Sequence, residues 1–114
     1  YDLRGMKLDR ANVVYSTHVY PDKKPDWETA FGRFAETEPV FVGELGGEEK
    51  DLAWGREFVA WLEEREIGWA AWSWRDWPHL QRDGQLTAFG KLVAKGLGRN
   101  IPLRADAQMV AAGA

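Results

Sequence analysis

Apolar positions along the chain alternate between two rhythms. Residues 11–20, ANVVYSTHVY, gather β-branched and aromatic types and stop at Pro21, which predicts a strand. Residues 26–37, DWETAFGRFAET, open on Asp26 as an N-cap and place Trp27, Ala30, Phe31 and Phe34 on one side, which predicts a helix. Residues 39–45, PVFVGEL, form a continuous apolar run of the kind buried on both faces of a parallel sheet. Residues 51–66 again begin at an Asp and repeat apolar side chains at Leu52, Phe58, Val59, Trp61 and Leu62, a second helix. Residues 68–74, GWAAWSW, predict a third strand, and residues 86–97, LTAFGKLVAKGL, a third helix capped by Thr87. The tail, residues 99–114, has no clear period and is expected to be extended or partly disordered.

The order is strand, helix, strand, helix, strand, helix, the pattern of an α/β fold with parallel strands and right-handed crossovers. Strand starts near residues 12, 39 and 68 lie 27 and 29 residues apart, close to the ~31 per unit of a ~250-residue eightfold barrel. Three strands cannot close a barrel, and they leave open edges and an apolar face. The chain is therefore expected to be either a small open α/β layer or part of a barrel whose remainder lies elsewhere. It starts at Tyr1 with no initiator Met, as if cut from something longer.

Polar chemistry gathers at the strand ends. His18 and Tyr20 close the first strand, Glu44 the second, and Trp72 and Trp74 the third. A carboxylate at the end of so apolar a run loses water and must find partners or a task. In α/β folds ligands bind at the carboxyl ends of parallel strands, so these side chains are expected to converge on one rim. Taken singly, each has a plainer reading: a strand-end Glu as a cap or ion pair, His-x-Tyr as a half-buried pair, Trp-x-Trp as core packing. Three such features at three successive strand ends favour a site.

Composition adds one unusual number, seven tryptophans, four of them between residues 69 and 77. Such a cluster is either bulky core or a stacking surface. With 45% apolar and 29% charged residues the chain reads as globular. A net charge of −3, with bases scattered among acids, argues against a nucleic-acid partner. No apolar run approaches the ~20 residues of a membrane span. There is no cysteine, so neither a disulfide frame nor a thiolate zinc site is available, and the compartment stays open. His79, in RDWPHL, has no second ligand at metal spacing, so no metal is expected; with Asp76 and Trp77 it lies in a loop that either shapes a substrate subsite or is simply solvated. The acidic runs GGEEKD and LEEREI read as a helix lead-in and an exposed helix face.

In their order and spacing VVYSTHVYP, PVFVGELGG and GWAAWSW resemble the last three strands of glycoside hydrolase family 5, the retaining endoglucanase and mannanase family of (β/α)₈ TIM barrels. The resemblance covers residues from about 10 to 97. It implies that residues 1–98 are the C-terminal three strand–helix units of a catalytic barrel. Glu44 matches the family nucleophile; His18 and Tyr20 match the pair in which the His contacts sugar or the acid/base and the Tyr hydroxyl hydrogen-bonds the nucleophile. Trp72 matches the indole platform under the sugar at the cleavage subsite, with Trp74 as the second candidate; Trp77 and His79 are further candidates for substrate contacts. The resemblance further implies a β-linked polysaccharide or oligosaccharide as substrate, no cofactor, and secretion.

The sequence also departs from the family. The family acid/base is a Glu after an Asn, and here Asn12 precedes Val13 and Asn100 precedes Ile101. Early Arg and His residues of the first strands are missing too. The chain is thus expected to hold one carboxylate of two and to need the N-terminal part of the barrel, as a severed portion or a second polypeptide. Two other readings stay open: a non-catalytic carbohydrate-binding module that uses the Trp cluster and leaves Glu44 dispensable, and a structural half-barrel whose indoles are only core.

Overall fold

The computed structural model describes residues 2–22 and 26–98 in full, with the backbone of residues 99 and 100. Strands β1 (Tyr15–Val19), β2 (Val40–Leu45) and β3 (Gly68–Ala71) form one parallel sheet in that order. Between β1 and β2 runs a π-helical stretch, Glu28–Gly32, that continues into the short α1, Arg33–Ala35. A 3₁₀ turn, Glu49–Asp51, leads into α2, Leu52–Glu64, and α3, Ala88–Asn100, follows the sheet. A small antiparallel hairpin, β4 (Gln81–Arg82) and β5 (Gln85–Leu86), precedes α3.

The core fills the space between one face of the sheet and the helices. Tyr15, Thr17 and Val19 alternate into it from β1, while Ser16 and His18 point to the other face. Val19, Val42, Leu45, Phe31, Phe58, Leu62 and Phe89 are almost wholly removed from solvent, and each contributes roughly 1.5–3 kcal/mol by burial. A chain of rings ties the helices together: Trp27 lies 4.6 Å from Phe58 and 5.5 Å from Trp61, and Trp54 lies 5.3 Å from Phe58. The Arg65 guanidinium sits 4.2 Å over the Trp61 ring and pairs with Glu28. Among the described residues the opposite face of the sheet has no such cover, and Val14 and Phe41 stand 65% and 38% exposed on that side of the chain.

Caps account for the helix starts. Asp26 accepts the Thr29 amide at 3.1 Å and the Thr29 hydroxyl, which holds its carboxyl below the usual carboxylate range. Asp51 accepts the Glu48 amide at 2.8 Å. Thr87 Oγ1 accepts the Gly90 amide at 3.0 Å and donates to the His79 carbonyl at 2.8 Å.

Several boundaries differ from the sequence reading. The first strand spans Tyr15–Val19 rather than 11–20: residues 11 and 12 bend, Asn12 has φ 58°, and Tyr20 lies just past the last strand residue. The third strand ends at Ala71 instead of reaching 74, because the chain turns back on itself through Ser73 N to the Pro78 carbonyl (2.9 Å) and Leu80 N to the Ser73 carbonyl (2.8 Å). Trp72 and Trp74 therefore belong to a closed loop, in which the Trp72–Ser73 and Trp77–Pro78 peptides are cis. The helix predicted over 26–37 is mostly π-helical, with Ala30 and Phe31 buried. The helix over 51–66 stops at Glu64, where Glu66 takes φ 55° and Ile67 N closes onto the Leu62 carbonyl at 3.0 Å. The last helix starts two residues late and runs on to Asn100, so residues 99 and 100 are helical; the rest of the tail, 101–114, lies outside the described residues. Among the described residues no helix is long and apolar enough to cross a membrane.

Candidate active site at the carboxyl ends of the strands

The position of Glu44 comes from a break in the strand rhythm. β1 and β2 pair as Ser16 with Phe41 and Thr17 with Val42, but His18 then pairs with Glu44, leaving Gly43 as an extra residue. Val42 and Leu45 are both fully buried although they are three apart, which strict alternation forbids. The bulge resets the parity, so Leu45 returns to the core while Glu44 comes opposite His18. The approach is close at the bulge: a Cβ on Gly43 would stand 2.6 Å from Ser16 Oγ, which would have to rotate away, and 3.4 Å from His18 Nε2.

Three residues meet there. The Tyr20 hydroxyl donates to Glu44 Oε2 at 2.7 Å, and His18 Nδ1 stands 3.4 Å from the same oxygen. Oε1 makes no hydrogen bond among the described residues. Burial, and then the bond to Glu44, push the Tyr20 phenol well above the ordinary tyrosine range. Tyr20 is thus a fixed donor, and His18, more than half exposed, is open to an incoming molecule.

Gly46 joins the third strand to this group. A Cβ there would meet the Trp72 carbonyl oxygen at 2.5 Å, Pro78 Cγ at 3.1 Å and Tyr20 Cε1 at 3.2 Å. Trp72 N donates to the Leu45 carbonyl at 2.8 Å, so its backbone is anchored to the residue after Glu44. The Trp72 indole N–H in turn donates to the Trp77 carbonyl at 3.2 Å.

The seven indoles divide by position. Trp27, Trp54, Trp61 and Trp69 pack against the core, whereas Trp72, Trp74 and Trp77 are 37%, 60% and 65% exposed at the strand-end rim. Of the residues singled out from sequence, His18 and Tyr20 both reach Glu44, and Trp72 is tied to the residue after it. Trp74 stands apart, linked through its carbonyl to the Gln81 side chain at 2.8 Å. His79 and Trp77 line a cavity of about 660 Å³ that Glu44 does not line. Sequence reading did not single out Gly43 and Gly46, whose roles depend on close approaches between strands; the glycines around Glu44 in VGELGG were the available signal. Among the described residues no group of three His, Asp or Glu side chains is placed to hold a metal ion.

Neither a protein-family model nor a curated protein sequence matches the chain. Its fold is similar to the crystal structure of a native β-glucanase from Saccharophagus degradans, with a TM-score of 0.75 and 20% identity, over 89% of this chain and 39% of the glucanase. The likeness shows the fold: an α/β arrangement of parallel strands and helices shared with part of a glucanase. The chain spans 39% of the length of that protein.

Proposed function

We propose that this chain supplies the last three strand–helix units of a (β/α)₈ barrel, of the kind found in glycoside hydrolase family 5, that hydrolyses a β-linked polysaccharide with retention of configuration. The Tyr20–Glu44 hydrogen bond at the bulged end of β2 carries this reading. A bulge that lifts a carboxylate out of the core and a phenol that fixes one of its oxygens serve packing poorly and nucleophilic attack well.

In this mechanism Glu44 Oε1 attacks the anomeric carbon while Tyr20 and His18 hold Oε2. The glycosidic bond breaks, and a carboxylic acid from the remaining strands, ~5–5.5 Å from Glu44, gives its proton to the leaving oxygen. The same group then takes a proton from water, which attacks the glycosyl–Glu44 ester and frees the carboxylate. Trp72 offers its indole to the sugar C–H face beside Glu44.

The test uses the barrel in which residues 1–114 join the missing strands. Glu44→Gln should abolish turnover with folding nearly unchanged, and a 2-fluoro-glycoside should label Glu44 in the unsubstituted enzyme. Ordinary activity in the Gln variant sinks the assignment. The exposed rim indoles also suit a binding module without catalysis; that reading gains if the protein holds polysaccharide but the fluoro-glycoside leaves Glu44 unlabelled.

A further inference from the structure

We infer that Glu48 is a positioning residue for the Trp72 indole and acts on it through Trp77, so that the segment after β2 sets the ring carried by the loop after β3. The inference rests on the reading of Glu44 as the reacting carboxylate and of Trp72 as the surface beside it. Three hydrogen bonds close a ring between the two segments. Trp72 N donates to the Leu45 carbonyl at 2.8 Å, the Trp72 indole N–H donates to the Trp77 carbonyl at 3.2 Å, and the Trp77 indole N–H donates to Glu48 Oε1 at 3.4 Å. The ring thus leaves the chain at the residue after Glu44 and returns to it at Glu48.

Glu48 stands on the firmer side of this ring. Its amide donates to Asp51 Oδ2 at 2.8 Å and its carbonyl accepts the Asp51 amide at 2.9 Å. The turn Glu49–Asp51 leads directly into α2, which is held in the core by Phe58 and Leu62. The carboxylate of Glu48 is divided between two partners. Oε2 lies 3.7 Å from Lys50 Nζ, an exposed ion pair that contributes little, while Oε1 accepts the Trp77 indole.

On the other side, residues 73–78 move as one unit. Ser73 N donates to the Pro78 carbonyl at 2.9 Å, and the Ser73 hydroxyl accepts the amides of Arg75 (3.2 Å) and Asp76 (3.1 Å). Trp77 is mostly exposed, so little packing sets its orientation, and its bond to Glu48 ties the unit to the start of α2. The consequence falls on Trp72. Its indole is partly exposed and its single N–H is taken by the Trp77 carbonyl, so it offers an incoming sugar a ring face and no donor. Stacking depends on the angle of that face. An indole free to turn about its two side-chain torsions must be ordered on binding, a cost that a preset ring avoids.

The experiment uses the barrel in which residues 1–114 join the missing strands, with soluble β-glucan and galactomannan as substrates. Glu48→Ala should lower kcat/KM on the polymer that is hydrolysed about three- to tenfold, the effect of one lost hydrogen bond. Glu48→Gln keeps an oxygen acceptor and should change it less than about twofold, as should Lys50→Ala, which releases Oε2 alone. Trp77→Phe keeps the carbonyl and a ring but lacks the N–H, and should match Glu48→Ala. The deciding comparison is a double-mutant cycle: in a Trp72→Ala background Glu48→Ala should cost less than about twofold, because the ring that it positions is gone. The full loss in that background would mean that Glu48 meets the substrate itself, and it overturns the inference, as does unchanged kcat/KM in Glu48→Ala. A second measurement needs no turnover. The Trp72 indole N–H resonance, assigned by its absence in Trp72→Phe, should exchange with water faster in Glu48→Ala than in the parent or in Glu48→Gln; equal exchange in all three also overturns the inference. The Glu44 assignment fails separately, by persistent activity in Glu44→Gln, and the exchange rates then still decide whether Glu48 holds Trp72.

Discussion

Tyr20 and Glu44, 24 residues apart in sequence, are joined by a 2.7 Å hydrogen bond in which the phenol donates to Oε2. Parallel pairing of β1 with β2 brings them together, and the bulge at Gly43 sets Glu44 opposite His18.

Removing that donor should damage activity with little effect on the fold. Hydrogen bonds to charged groups contribute ~1.5–3 kcal/mol, so Tyr20→Phe in the complete barrel should lose roughly ten- to a hundredfold in kcat/KM. The same phenol gives a pH signature. Its value is raised in the folded protein, so the native state keeps a proton that the unfolded chain releases above about pH 10. The unfolded state then binds fewer protons, and the stability contributed by Tyr20 is complete below about pH 10 and declines above it. Urea midpoints should therefore fall less steeply between about pH 9 and 11 in Tyr20→Phe than in the parent. Parallel slopes would mean that the phenol titrates normally.

Trp72 and Trp74 should differ in consequence. Trp72 is anchored to Leu45 and Trp77, while Trp74 is 60% exposed and lies outside that network. Trp72→Ala is expected to reduce kcat/KM by more than tenfold and Trp74→Ala by less than about threefold, as steady-state kinetics on one oligosaccharide would show. A larger loss at Trp74 would reverse the order of the two indoles.

Gly46 is a steric test of the site. An alanine methyl would stand 2.5 Å from the Trp72 carbonyl oxygen, a backbone atom that cannot swing aside. Gly46→Ala should cost ~1–3 kcal/mol and separate Tyr20 from Trp72, with activity lost in parallel. Gly98→Ala, in α3 with nothing within 4 Å of the added atom, should be neutral or stabilising in the same denaturation assay.

The last prediction concerns the bare face of the sheet. Among the described residues β1 and β3 are both edges, and Val14 and Phe41 stand exposed beside them. Residues 1–114 produced alone should associate or pack loosely and lack glycosidase activity, then become compact and active when the missing strands are supplied. Sedimentation and dispersed amide spectra would decide it; a monomer that melts cooperatively would overturn it and favour a self-contained small domain.

The order of elements and the parallel arrangement were legible in the sequence because they follow from local rules. β-branched and aromatic runs, Asp and Thr caps and helical spacing act within a few residues, and β2, α2 and the Thr87 cap lie where those rules put them. The rim was legible as well, since strand-end placement of His18, Tyr20 and Glu44 needs only chain direction. The contacts did not follow from those local rules, and only the resemblance implied that the Tyr20 hydroxyl bonds Glu44. That Glu44 meets Tyr20 depends on a bulge at Gly43, and a one-residue slip in register depends on which neighbour packs against which face. The early end of β3 at Ala71 came from hydrogen bonds to Pro78 and Leu80, far enough along the chain that no local pattern reports them. The division of the indoles had the same origin: seven tryptophans are alike in sequence, and only the packing of helices on one sheet face buried Trp27, Trp54, Trp61 and Trp69 in part and left Trp72, Trp74 and Trp77 at the rim.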